Sequence, residues 1–82
     1  MILRRIAMKF KTWKAVDDYL NQGWIILYEG RLYKQRRGFD GGFDEILFLN
    51  SYGNWDSTFH KSVDQWKEGR ELSKVKRYGF QE

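Results

Sequence analysis

The chain has 82 residues, a net charge of +4 and no cysteine, which allows one small domain and excludes disulfides and thiolate-bound metals as supports for it. A domain this size buries only about 60% of the surface its unfolded chain exposes, so 4 Trp, 5 Tyr and 6 Phe must build the core through large areas per side chain. No stretch approaches the roughly 20 apolar residues that span a bilayer, and Met1-Ile2-Leu3-Arg4-Arg5-Ile6-Ala7-Met8 is too interrupted for a signal peptide. A cytoplasmic location without a membrane partner is therefore expected.

Residues 1–11 carry Arg4, Arg5, Lys9 and Lys11 and no acid, and read as an arm or an edge strand. Met8 offers a second translation start that would make the first seven residues dispensable. Thr12 can cap a helix, and Trp13, Val16 and Leu20 recur at helical spacing, with Ala15 and Tyr19 widening the stripe. Gly23 supplies a left-handed end, so the spacing predicts a helix over 12–22. Trp24-Ile25-Ile26-Leu27-Tyr28 reads as a buried strand. Glu29-Gly30 is a two-residue turn into a second strand over 31–37. In that strand Leu32, Lys34 and Arg36 share one face, and Arg31, Tyr33, Gln35 and Arg37 the other.

Gly38-Phe39-Asp40-Gly41-Gly42-Phe43 reads as a long hairpin loop. Glu45-Ile46-Leu47-Phe48-Leu49 follows as a third strand, ended by the turn residues Asn50 to Asn54. A second helix is predicted from Ser57-Thr58 to Glu68, because Phe59, Val63 and Trp66 stand at i, i+4, i+7. The tail 70–82, with Leu72, Val75 and Tyr78, reads as a final strand or an arm.

The expectation is one α+β domain over residues 1–82, in the order α-β-β-β-α. Its antiparallel sheet has three strands, or four or five if the ends join it, with both helices on one face.

Little in the chain suits catalysis. The single histidine, His60, is expected in the first turn of the second helix, exposed or capping, with no local nucleophile and acid arranged around it. One histidine and no cysteine do not make a transition-metal site. Asp40, Asp44 and Glu45 lack the ligand spacing of a calcium loop. The glycines of 38–42 match neither a phosphate loop nor a dinucleotide fingerprint. The sequence is read as a non-enzyme without metal or cofactor.

The helix–three strands–helix order resembles the double-stranded RNA-binding domain in outline. That family carries a Lys-Lys-x-Ala-Lys type motif at the second helix start. Here the corresponding turn is Thr58-Phe59-His60-Lys61-Ser62, which leaves only Lys61 for the phosphate-clamping role. The resemblance is one of topology, and topology alone does not carry a function.

Charge is segregated along the chain. Residues 31–38 hold Arg31, Lys34, Arg36 and Arg37 without an acid, and residues 39–57 hold Asp40, Asp44, Glu45 and Asp56 without a base. Such segregation suits a polyanion or an acidic protein surface. The leading expectation is a small nucleic-acid-binding accessory protein, of a size and simplicity that fit a phage or mobile element. In that reading Lys34, Arg36, Arg37, Lys61, Lys74, Lys76 and Arg77 neutralise phosphates of DNA or RNA, and Tyr33 stacks on a base or packs. The alternative is a protein–protein interaction module, an inhibitor of a host enzyme or a homo-oligomer, anchored by exposed Phe39, Phe43 and Trp55.

Overall fold

The computed structural model describes residues 9–38 and 42–81. Thr12 caps the first helix, α1 (Trp13–Asn21), its hydroxyl accepting from the Ala15 amide at 3.0 Å. Gln22 closes the helix and Gly23 follows at φ 91°, a conformation that only glycine adopts without strain. The chain then enters β1 (Trp24–Tyr28), turns through Glu29 and Gly30, both at positive φ, and returns as β2 (Arg31–Arg36). Two successive positive φ values suit the tight hairpin turn whose twist matches that of its strands. β3 (Glu45–Leu49) and β4 (Trp55–His60) extend the meander, and β5 (Val75–Gln81) comes back beside β1 after a 3₁₀ turn at Leu72–Lys74. The antiparallel sheet has the order β4-β3-β2-β1-β5.

The fold is α+β and five strands lie within the expected range, but the order is not α-β-β-β-α, because a fourth strand precedes a second helix much shorter than its spacing suggested. The segment expected to begin that helix, 57–60, lies in β4, and α2 covers only Val63–Trp66. The reason is where the hydroxyls are used. Thr58 Oγ1 donates to the Ile46 carbonyl at 2.6 Å, and Ser57 donates to the Glu45 carboxylate, so both residues tie β4 to β3. Ser62 caps α2 instead, accepting from the Gln65 amide. With a strand where its second helix should begin, the chain departs from the double-stranded RNA-binding outline. The tail is an edge strand. Of the N-terminal arm, Lys9 forms an isolated antiparallel bridge with Lys76, and residues 1–8 lie outside the described residues.

Both helices pack on one face of the sheet. Val16 and Leu20 of α1 and Val63 and Trp66 of α2 meet Ile26, Tyr28, Tyr33, Ile46 and Val75 in a single core. Trp66, fully buried, sits at its centre, with ring centroids of Trp13, Tyr28 and Tyr33 at 6.2, 5.5 and 4.9 Å in edge-on geometry. Such edge-to-face pairs add to the burial of the rings. No helix among the described residues is long and apolar enough to cross a membrane.

Candidate nucleic-acid interface

Register decides which cations come together. Leu27 of β1 lies opposite Leu32 of β2 on one side and Lys76 of β5 on the other. Lys34 lies opposite Leu47, Arg36 opposite Glu45, and Leu49 opposite Trp55. Since side chains alternate along a strand, Lys34, Arg36 and Lys76 share the face turned away from the helices. Part of each basic run, Lys34 and Arg36 of one and Lys76 of the other, therefore reaches one surface.

Among the described residues no helix covers this face. Its middle is apolar, with Ile25 and Leu47 buried and Leu27, Leu32, Leu49 and Trp55 half-buried. Lys34 reaches over the β4 side, holding its ammonium 4.7 Å from the centre of the Trp55 ring. Arg36 is paired with Glu45 at 2.5 Å. At the opposite edge a cleft of about 420 Å³ brings Lys9, Lys74 and Lys76 around Leu27 and Ser73. Lys74 contacts Glu29 at 3.4 Å, and that hydrogen bond, helped by the charges of Glu71 and Glu29, raises the pKa of its ammonium. The same two carboxylates offset the charge of Lys74. Lys9 was not among the expected site residues. Only its bridge to Lys76 reveals it, and no local pattern announces that bridge.

The remaining candidates are placed elsewhere. Tyr33 faces the core, 6% exposed beneath Trp66, so it presents no ring to a base; of the two roles expected, it packs. Arg77 lies on the helix side, its guanidinium 4.2 Å from the Phe10 ring and hydrogen-bonded to the Lys9 carbonyl at 2.9 Å. Arg37 donates to the Asn21 carbonyl at the end of α1. Lys61 sits beyond β4, its ammonium 3.9 Å from the Phe43 ring. Of the residues expected as protein anchors, Phe43 is 72% exposed, Trp55 is half-buried under Lys34, and Phe39 lies outside the described residues. His60 is not in a helix. It ends β4 opposite Ile46, and its Nδ1 is buried without a hydrogen-bond partner among the described residues.

The interleaving of cations and rings in the sequence thus serves partly to cover aromatic faces within the fold. Arg31 lies over Phe48 and Arg70 over Trp66 in the same way. Among the described residues no group of three or more His, Asp and Glu side chains is placed to hold a metal ion. Compared with known proteins, the chain matches no family model, no curated protein and no solved structure.

Proposed function

We propose that this protein binds single-stranded nucleic acid on the helix-free face of its sheet, as an accessory rather than a catalyst. The observation that carries the reading is the register placing Lys34 and Lys76 on one face across the intervening strand β1. Lys9, Lys74 and Lys76 take phosphates along the β5 edge and Lys34 takes one nearer β4. Trp55 offers a ring on which a base stacks, an interaction that tolerates sequence because every base has a π face. Arg36 and Lys74 contribute less, because Glu45 and Glu29 already pair with them.

A single strand is favoured over a duplex on shape. Reading a duplex needs an element that enters a groove or tracks both backbones. The only long helix among the described residues, α1, has one basic residue, Lys14, paired with Asp18. A sheet face with an apolar middle and a cationic edge instead accepts splayed bases.

The test is fluorescence anisotropy of a labelled single-stranded oligonucleotide of about 16 nucleotides, beside its duplex, at several salt concentrations. Saturable binding that weakens with salt is expected, stronger for the single strand. Each phosphate contact contributes a slope of about 0.7 in log affinity against log salt for single strands. The double variant Lys34→Ala/Lys76→Ala should therefore flatten the slope by about 1.4. An unchanged slope, or no binding of the parent at low salt, would overturn the reading.

A further inference from the structure

The outer edge of the sheet carries an arrangement that nucleic-acid binding does not use. Ser57 pairs with Leu47 while His60 pairs with Ile46, so Thr58 and Phe59 form a bulge in edge strand β4. Phe59 has φ 66° and is 87% exposed. A bulky residue at left-handed φ is strained, and here the strain holds an apolar ring in water. Phe43 stands nearby, and the two phenylalanines wall a cleft of about 280 Å³ with Asp44, Glu45 and Lys61. We propose that this edge docks a short acidic segment of a partner protein, with Phe43 and Phe59 gripping one apolar side chain and Lys61 meeting an adjacent carboxylate.

Three features select that occupant. First, strand addition is blocked. The amides of Ser57, Phe59 and His60 are taken by the side chains of Asp56, Ser57 and Thr58, at 3.2, 2.9 and 3.2 Å. An edge whose donors are plugged and bent by a bulge is a poor template for another strand, so a partner must engage side chains. Second, the exposed charge of the cleft is positive, since Asp44 and Glu45 are half-buried and Lys61 is exposed. Asp44 accepts from the Gly38 amide and Gln35, and Glu45 from Arg36 and Ser57. Lys61 has no carboxylate partner among the described residues and rests on the Phe43 ring. Third, a second copy of the chain fits poorly. It would set Lys61 against Lys61 between molecules of net charge +4. Two phenyl rings also offer about 300–500 Å², where a stable interface needs about 800 Å² from each partner. A cleft of this volume suits one side chain of a peptide.

The experiment follows backbone amide shifts of the isotope-labelled full chain during titration with two amidated peptides. One has a central phenylalanine flanked by glutamates, the other the same residue flanked by lysines. The acidic peptide is expected to shift the amides of Phe43, Phe59 and Lys61, and the basic peptide to leave them in place. Phe59→Gly suits the local φ, so it should fold at least as stably as the parent while weakening acidic-peptide binding tenfold or more. Lys61→Gln should bring the affinities for the two peptides within a few-fold of each other. The proposal is overturned if the acidic peptide leaves these amides unmoved, if both peptides act equally on the parent, or if Phe59→Gly binds as the parent does.

Discussion

The Lys34 ammonium sits 4.7 Å from the centre of the Trp55 ring, reaching from β2 across β3 to β4. A cation over an indole face contributes about 0.5–1 kcal/mol at an exposed site, so the contact is a modest support for the sheet. It also sets the two groups that the proposed nucleic-acid face would use differently: the cation for a phosphate, the ring for a base. A stacked base must displace the ammonium, which is then released toward the backbone beside that base.

The two roles separate by salt. Trp55→Ala should weaken oligonucleotide binding by about 1–3 kcal/mol, the scale of one lost stack, while leaving the salt slope unchanged. Lys34→Met keeps apolar cover on the ring and removes the charge, so it should lower the slope by about 0.7. The same anisotropy titrations read both. A Trp55→Ala variant that changes the slope but not the affinity would reverse the assignment of roles.

Trp66 joins the helices to the sheet, and its removal should be the most damaging single change in the core. Trp66→Ala is expected to cost about 3–5 kcal/mol, as for other large buried aromatics. The indole N–H is buried without an acceptor among the described residues, and an unsatisfied buried donor is itself destabilising by about 1–3 kcal/mol. Trp66→Phe removes that donor along with part of the ring, so its loss should be less than half that of Trp66→Ala. Urea unfolding of the two variants checks the ratio.

Tyr19 makes the stability depend on alkaline pH. Burial raises its hydroxyl above the usual 10.0, against smaller opposing effects from the Gly79 N–H hydrogen bond and the charge of Arg77. The unfolded chain releases this proton near 10.0, whereas the folded chain still holds it. The stabilisation is therefore fully present below that pH and is lost as pH rises through the folded value. Tyr19→Phe loses the 3.0 Å bond from the Gly79 amide at every pH, a constant of about 1 kcal/mol. The parent's advantage should hold steady from about pH 8 to about pH 10 and shrink above it. A constant advantage to about pH 11 would mean that burial does not perturb Tyr19.

What was legible in the sequence was local. Thr12, the Trp13–Val16–Leu20 spacing and Gly23 define α1 within a residue or so, and Glu29-Gly30 defines the first hairpin, because each signal and its structural consequence lie within one turn. The second helix failed because Phe59, Val63 and Trp66 fit a helical stripe while Ser57 and Thr58 resemble caps. Only β3, whose Ile46 carbonyl and Glu45 carboxylate take both hydroxyls, decides between strand and helix. Tyr33 was left between stacking on a base and packing for a related reason. Both faces of β2 carry cations, and which one is core depends on Trp66, far along the chain, packing above it. That Lys34 and Lys76 share a face, with Lys9 beside Lys76, depends on β5 pairing with β1 across most of the chain, a register that no short window encodes.

Two glycines separate a need for space from a need for conformation. A Cβ on Gly38 would lie 2.5 to 2.7 Å from backbone atoms of Gly42 and Phe43, which cannot swing aside as a side chain would. Gly38→Ala must therefore displace the base of the loop, at about 1–3 kcal/mol as for other overpacked sites, and move Phe43 with it. At Gly53 a Cβ meets nothing within 4 Å, but φ is +85°, so Gly53→Ala is penalised by conformation alone, by about 1–2 kcal/mol. Asparagine tells the cases apart, because it tolerates left-handed backbone but is larger than alanine. Gly53→Asn should recover much of the loss seen with alanine, and Gly38→Asn should be at least as destabilising as Gly38→Ala. Thermal unfolding of the four variants measures this. In the acidic-peptide titration only the Gly38 pair should lose affinity, since Gly53 lies in the turn at the far end of the β3–β4 hairpin. If Gly38→Asn were as stable as the parent, the close approach of Gly38 to Gly42 and Phe43 would not be what positions the exposed phenylalanine.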